Sequence, residues 1–94
     1  MLEKQIERKL TEEVKKCGGL ALKQTSLAGI PDRLVLLPGG KMAFVELKAP
    51  GEKPRKLQQV MIKQLRKMGF MCFVVDGTEM ISDVLDSIEG GGIE

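Results

Sequence analysis

A chain of 94 residues with 15 Lys and Arg, 13 Asp and Glu and no histidine holds one domain with a modest core, since so short a chain buries only about 60–65% of its unfolded surface. The 43% hydrophobic and 30% charged content is that of a folded domain rather than a disordered one, and two catalytic domains are excluded. Without histidine there is no His-based acid–base catalysis, no His₂Glu zinc site and no Ser-His-Asp or Cys-His triad, which leaves carboxylates, Lys, Gln and hard metal ions.

Leu2, Ile6, Leu10 and Val14 recur every four residues, with Cys17 three further on, and predict a helix over 2–17. Gly18-Gly19 ends it. Residues 20–25 alternate Leu20 and Leu22 against Ala21 and Lys23, a strand pattern. Ser26 to Pro31 reads as a loop. The apolar run 33–37 and the run 42–48 flank Pro38-Gly39-Gly40, which predicts a hairpin. Ala49 to Lys53 is a second loop, and Pro54 suits the first turn of the next helix. That helix is expected to turn Leu57, Val60, Met61, Leu65 and Met68 inward and to stop at Gly69. Residues 70–75 (FMCFVV) predict a buried strand. Thr78 suits the cap of a last helix carrying Met80, Ile81, Val84, Leu85 and Ile88. A flexible tail is expected over 89–94. The order α-β-β-β-α-β-α over 1–94 makes one small α/β domain, and the long helix before the last strand permits a parallel crossover in a mixed four-stranded sheet.

No apolar run approaches the roughly 20 residues that span a bilayer. Glu3 and Glu7 stand where a signal peptide would be apolar. A soluble, cytoplasmic protein with no membrane partner is the expectation. Cys17 and Cys72 lack the spacing of a zinc knuckle or redox dithiol and read as small apolar residues. The methionines, Met61 and Met68 among them, read as core filler. Charge is polarised: residues 48–67 hold seven bases and one acid, and residues 76–94 hold six acids and no base. A basic segment of this kind can attract a polyanion or can be a solvated helix face.

Two polar segments interrupt the strands. Pro31 fixes its own φ and biases Ile30 towards extended geometry, so Asp32 is held at the start of a strand. In Glu46-Leu47-Lys48, Glu46 and Lys48 share one face while Leu47 points into the core. A Pro-Asp alone usually makes a turn, and a Glu-x-Lys alone is usually a surface ion pair. Here only a hairpin separates them, and it folds both onto neighbouring strand ends. Two carboxylates beside a Lys make an oxygen-lined pocket for a hard divalent cation. Such a cation polarises a phosphoryl oxygen, and the ammonium stabilises developing negative charge.

The Asp after Pro, the hairpin and the Glu-x-Lys resemble the PD-(D/E)XK nuclease superfamily, with its restriction-endonuclease-like core. With Gly19, Lys23, Gly29 to Arg33, Leu57-Gln58, Leu65 and Gly69, the order of elements from Glu3 to about Leu85 is similar to its virus-type replication-repair branch, the VRR-NUC domain. The resemblance implies a Mg²⁺-dependent DNA endonuclease, with Mn²⁺ as a substitute and no organic cofactor. Asp32, Glu46 and the Leu47 carbonyl would hold the metal, and Lys48 would position or activate the attacking water. Gln58 would lie over the site, being eleven residues before Gly69 and seven before Leu65. Glu3, in a Glu-x-x-Ile pattern, would complete the acidic cluster, with Glu7 in reserve. Lys23 matches a family lysine that can reach a phosphate, or is an edge-strand charge opposing aggregation. Lys53, Arg55, Lys56 and Lys63 would grip DNA, whereas Arg33 is expected to turn to the opposite face and pair with an acid.

The function expected is phosphodiester hydrolysis on branched DNA, such as four-way junctions or flaps, in the cytoplasm of a bacterial or phage-infected cell during replication or repair. The alternative is a catalytically inert nucleic-acid-binding module of the same fold. Nothing resembles a sequence-recognition insertion. A core this small, with no disulfide or zinc, also leads us to expect a homodimer that buries the first and last helices further.

Overall fold

The stripe Ile6, Leu10, Val14 fixes where the first helix lies: all three side chains are fully buried against the sheet. In the computed structural model, which describes residues 2–25 and 27–90, this helix is α1 (Glu3–Lys16). Its start is secured by the Gln5 side chain, whose Oε1 accepts the Leu2 N–H at 2.6 Å. Lys15 and Lys16 in its last turn suit the negative end of the helix dipole.

Strands β1 (Leu20–Lys23), β2 (Arg33–Leu37), β3 (Lys41–Leu47) and β4 (Cys72–Val75) form one sheet in the order β1-β2-β3-β4. The first two pairings are antiparallel, and Gly39 and Gly40, at φ 88° and 74°, turn the hairpin between β2 and β3. β4 runs parallel to β3 after the crossover through α2 (Lys56–Lys67). A 3₁₀ turn at Thr78–Met80 leads into α3 (Ile81–Glu89), which buries Ile81, Val84, Leu85 and Ile88. The small α/β domain with a mixed four-stranded sheet is as the sequence indicates.

Each face of the sheet has its own core. α1 and α3 cover one face, where Val35, Leu37, Ala43, Val45, Leu47 and Val75 are buried. α2 covers the β3–β4 end of the other, through Ile62 and Leu65 against Cys72, Phe44 and Val74.

Six expectations are corrected. Leu2, counted in the apolar stripe of the first helix, is exposed. Met80 and not Thr78 is the N-cap of α3, because Thr78 opens the 3₁₀ turn before it. α2 buries Gln58, Ile62 and Leu65, while Leu57, Val60 and Met68 are more than half exposed. Met61 is half-buried. In β1 it is Ala21 that packs on the core, whereas Leu20 and Leu22 face outward on an edge strand. Pro54 precedes the N-cap, Arg55, instead of opening the helix. Glu89 is still helical and Gly90 is its C-cap; the rest of the tail expected over 89–94 lies outside the described residues. Cys72 is buried and Cys17 half-buried. No helix among the described residues is long and apolar enough to cross a membrane.

The α1–β1 corner depends on a close approach. A Cβ on Gly19 would run into the Leu36 carbonyl oxygen and sit 2.7 Å from the Leu37 side chain. Backbone cannot yield as a flexible side chain can, so Gly19→Ala is expected to cost about 1–3 kcal/mol, read as a lower denaturant midpoint. An unchanged midpoint would show that the corner is loose.

Candidate active site

Asp32 immediately precedes β2, and Glu46 lies one residue from the end of β3. Because Arg33 pairs with Val45, the antiparallel register sets Asp32 beside Glu46. Each carboxylate then accepts a main-chain N–H from the other's strand. Glu46 Oε1 accepts from Asp32 N at 3.1 Å, and Asp32 Oδ1 accepts from Leu47 N at 3.4 Å. This cross-strand exchange fixes both side chains.

Glu46 is 2% exposed, and a buried carboxylate needs partners. It has them. Its Oε2 accepts Gln58 Nε2 at 2.7 Å and lies 3.3 Å from Lys48 Nζ. Gln58 is itself anchored, since its Oε1 accepts the Arg55 N–H at 2.9 Å at the start of α2. The helix cap thus sets which end of the Gln58 amide meets Glu46. Lys48 follows β3 directly and is mostly buried over Glu46.

Asp32 lacks such compensation. Burial and the neighbouring Glu46 charge push its carboxyl up to about 6, with a smaller contribution from Glu3 and opposition from the Leu47 N–H. Two converging carboxylates that resist joint ionisation fit a hard divalent cation, whose charge removes that repulsion. Among the described residues no group of three acidic, Cys or His side chains is gathered as a metal cluster. Glu3, exposed in the first turn of α1, raises the Asp32 carboxyl through its charge and is not gathered with the two carboxylates.

Of the residues singled out from sequence, Asp32, Glu46, Lys48 and Gln58 are brought together, and Leu47 ends β3 beside Asp32. Lys23 is exposed on β1, in register with Arg33. Lys53, Arg55 and Lys56 are exposed along the loop and first turn that carry Gln58. Lys63 lies further along α2, over a groove floored by Ile62 and Val74 at the β4 side.

Glu7 plays a different part. Its carboxylate pairs with Arg33, whose guanidinium is 4% exposed and also donates to the Asp32 carbonyl at 3.1 Å. Arg33 therefore pairs with an acid and ties β2 to α1, as expected, while its Nη1 also stays 4.0 Å from the Asp32 carboxylate. The signal for Glu7 was its place one turn after Glu3. Glu7→Gln leaves a buried guanidinium with a neutral partner. With Glu7 itself 37% exposed, the expected loss is about 1–2 kcal/mol in chemical denaturation. Glu13→Gln, which removes only the exposed pairs with Lys9 and Lys16, should leave the midpoint nearly unchanged. Equal effects would contradict the difference in burial.

No protein-family model matches the chain. It is 46% identical over 82 residues to "Putative nuclease p44" of Acyrthosiphon pisum secondary endosymbiont phage 1, a match that spans 85% of this chain and 88% of that protein. Among solved structures it is similar to a VRR_NUC domain with a TM-score of 0.83 and 29% sequence identity, over 92% of this chain and 97% of the other.

Proposed function

Since the chain belongs to the VRR-NUC family of PD-(D/E)XK nucleases, we propose that it is a metal-dependent endonuclease that cuts branched DNA as a homodimer, in replication or repair in the cytoplasm of a bacterial or phage-infected cell. The observation that carries this reading is the joint placement of Asp32, Glu46, Lys48 and Gln58 at one sheet end. A surface ion pair has no need of a buried Glu46 with a helix-anchored amide on it.

In this reading Asp32, Glu46 and the Leu47 carbonyl would hold Mg²⁺, with Mn²⁺ as a substitute, and Glu3, expected from the sequence as a further ligand, would act on the ion through its charge. The bound ion supplies Lewis acidity to a phosphoryl oxygen and a lowered pKa to a water. Everything else falls to the chain. The reciprocal N–H bonds hold Asp32 and Glu46 at a fixed separation before substrate arrives, so little reorganisation remains. Gln58 occupies Glu46 Oε2 and fixes the carboxylate's rotation. The Lys48 ammonium beside that oxygen orients the attacking water and faces the negative charge that builds on the phosphate. Lys23, Lys53, Arg55, Lys56 and Lys63 would meet the backbone phosphates. A two-fold pair of sites suits the two-fold symmetry of a four-way junction.

The test is a panel of labelled four-way junctions, flaps, forks and linear duplex, incubated with Mg²⁺ and then with EDTA. Branched substrates should be cut, linear duplex spared, and EDTA should stop the reaction. Binding without cutting in Mg²⁺ or Mn²⁺ would make this chain an inert binding module. Equal cutting of linear duplex would remove the selectivity.

A further inference from the structure

The sequence led us to expect a homodimer that buries the first and last helices further. Apart from Leu2, those helices have little left to bury: Ile6, Leu10, Val14, Ile81, Val84, Leu85 and Ile88 are already buried within the monomer. The uncovered apolar surface is elsewhere, on the α2 side of the sheet. Register places Leu20, Leu36 and Met42 in one cross-strand row and Leu22, Leu34 and Phe44 in the next. Phe44 packs with Ile62 and Leu65 of α2, so the alternation of strands puts both rows on α2's face. Yet α2 sits over the β3–β4 end alone, and Leu20 and Leu22 stay 60% and 43% exposed.

The helix flank beside this bare sheet is also uncharged. Gly29, in the loop before β2, lies under Leu57 and Met61, which turns that flank towards β2. Gln64 and Met68 continue it at helical spacing, and Leu57 and Met68 are 54% and 66% exposed. Phe70, 42% exposed, closes the far end with its ring 6.0 Å from that of Phe44. Sheet and flank together form an apolar trough.

We propose that this trough is the surface on which a second copy of the chain docks. Three features favour that occupant. The half-exposed leucines, methionine and phenylalanine present on the order of several hundred Å² of contiguous apolar area, beyond what single scattered residues on a monomer show and comparable with the ~800 Å² each partner gives to a standard interface. No Lys, Arg, Asp or Glu stands in either row or on the flank, so a two-fold contact sets apolar surface on itself without like-charge repulsion. DNA is a poor occupant for the same reason, as it requires cations. Of the bases of α2, Lys56, Lys63 and Lys67 lie off this flank and stay available to phosphates, and Arg66 donates to the Cys72 carbonyl.

The inference rests on the homodimer in the proposed function, not on its chemistry, and its test does not use cleavage. Sedimentation equilibrium of the full chain at micromolar concentration should give twice the 10.3 kDa chain mass. Leu20→Glu and Met68→Glu, both at positions exposed in the monomer, should weaken association by about 100-fold or more while circular dichroism stays native. Leu2→Glu, exposed but outside the trough, should leave the dimer unchanged. Methionine oxidation of the wild-type protein gives an independent reading, with Met68 protected as concentration rises into the dimer range. A wild-type monomer would overturn the surface and the homodimer together. A dimer that survives both trough variants, or Met68 oxidised equally at all concentrations, would overturn the surface and leave the homodimer standing.

Discussion

Asp32→Asn and Glu46→Gln are each expected to lower cleavage by at least about 10³-fold, because either change removes a charged metal ligand and with it stabilisation of the transition state. The two should differ in the metal-free protein. Asp32's carboxyl is raised to about 6 by burial and by Glu46, from an ordinary 3.8. A raised acid binds its proton more tightly when folded than when unfolded. Its ionisation therefore opposes folding, and stability falls as pH climbs from about 4 to about 6 and stays lower above. Asn keeps an oxygen for the Leu47 N–H and carries no charge. Metal-free Asp32→Asn should thus melt above wild type at pH 8 and converge with it near pH 4. Glu46→Gln relieves the same repulsion on Asp32 but gives up the Lys48 ion pair, so its gain at pH 8 should be smaller. Single-turnover cleavage and thermal melts over pH check both halves. Wild-type cutting rates in either variant at saturating Mg²⁺ would dismiss the site, and a pH-independent gap in melting would dismiss the charge argument.

How much of this was legible in the sequence depends on what each residue answers to. The hairpin was readable because two apolar runs flank a turn that only glycines make cheaply, and the positions of Asp32 and Glu46 follow from that register. The face of α2 was not. Its apolar residues fall into two overlapping helical sets, and of the set with more hydrophobic side chains Leu57, Val60 and Met68 are left outside and Met61 is only half-buried. The buried set begins with Gln58, which hydrophobicity argues against and the carboxylate beneath it requires. Periodicity records what oil prefers; it does not record a site or which part of a sheet a helix leaves bare. The same limit explains β1. Ala21 turns inward because α1 passes close to this edge strand, and the larger leucines are left to the uncovered face. Nothing local distinguishes those leucines from core residues, since the helix that fails to cover them lies far along the chain.

Lys48→Ala should divide binding from chemistry. The ammonium lies 3.3 Å from Glu46 Oε2, on an oxygen that Gln58 also holds at 2.7 Å. Taking away the lysine therefore leaves Glu46 with its amide partner and its Asp32 N–H, and the paired carboxylates keep their positions. Metal affinity, measured by Mn²⁺ titration, should change little, because an ammonium is a donor and not a ligand. Turnover should fall about 10²–10³-fold, the usual effect of losing one preorganised transition-state donor, with the DNA concentration for half-saturation nearly unchanged. Lys48→Arg should recover only part of the rate: guanidinium keeps the charge but spreads it over a planar fork too wide for the same point contact. A Lys48→Ala protein that turns over normally would take the lysine out of the chemistry. One that loses Mn²⁺ while its carboxylates remain would make Lys48 a support for the metal pair, with the positioning of water left to other groups.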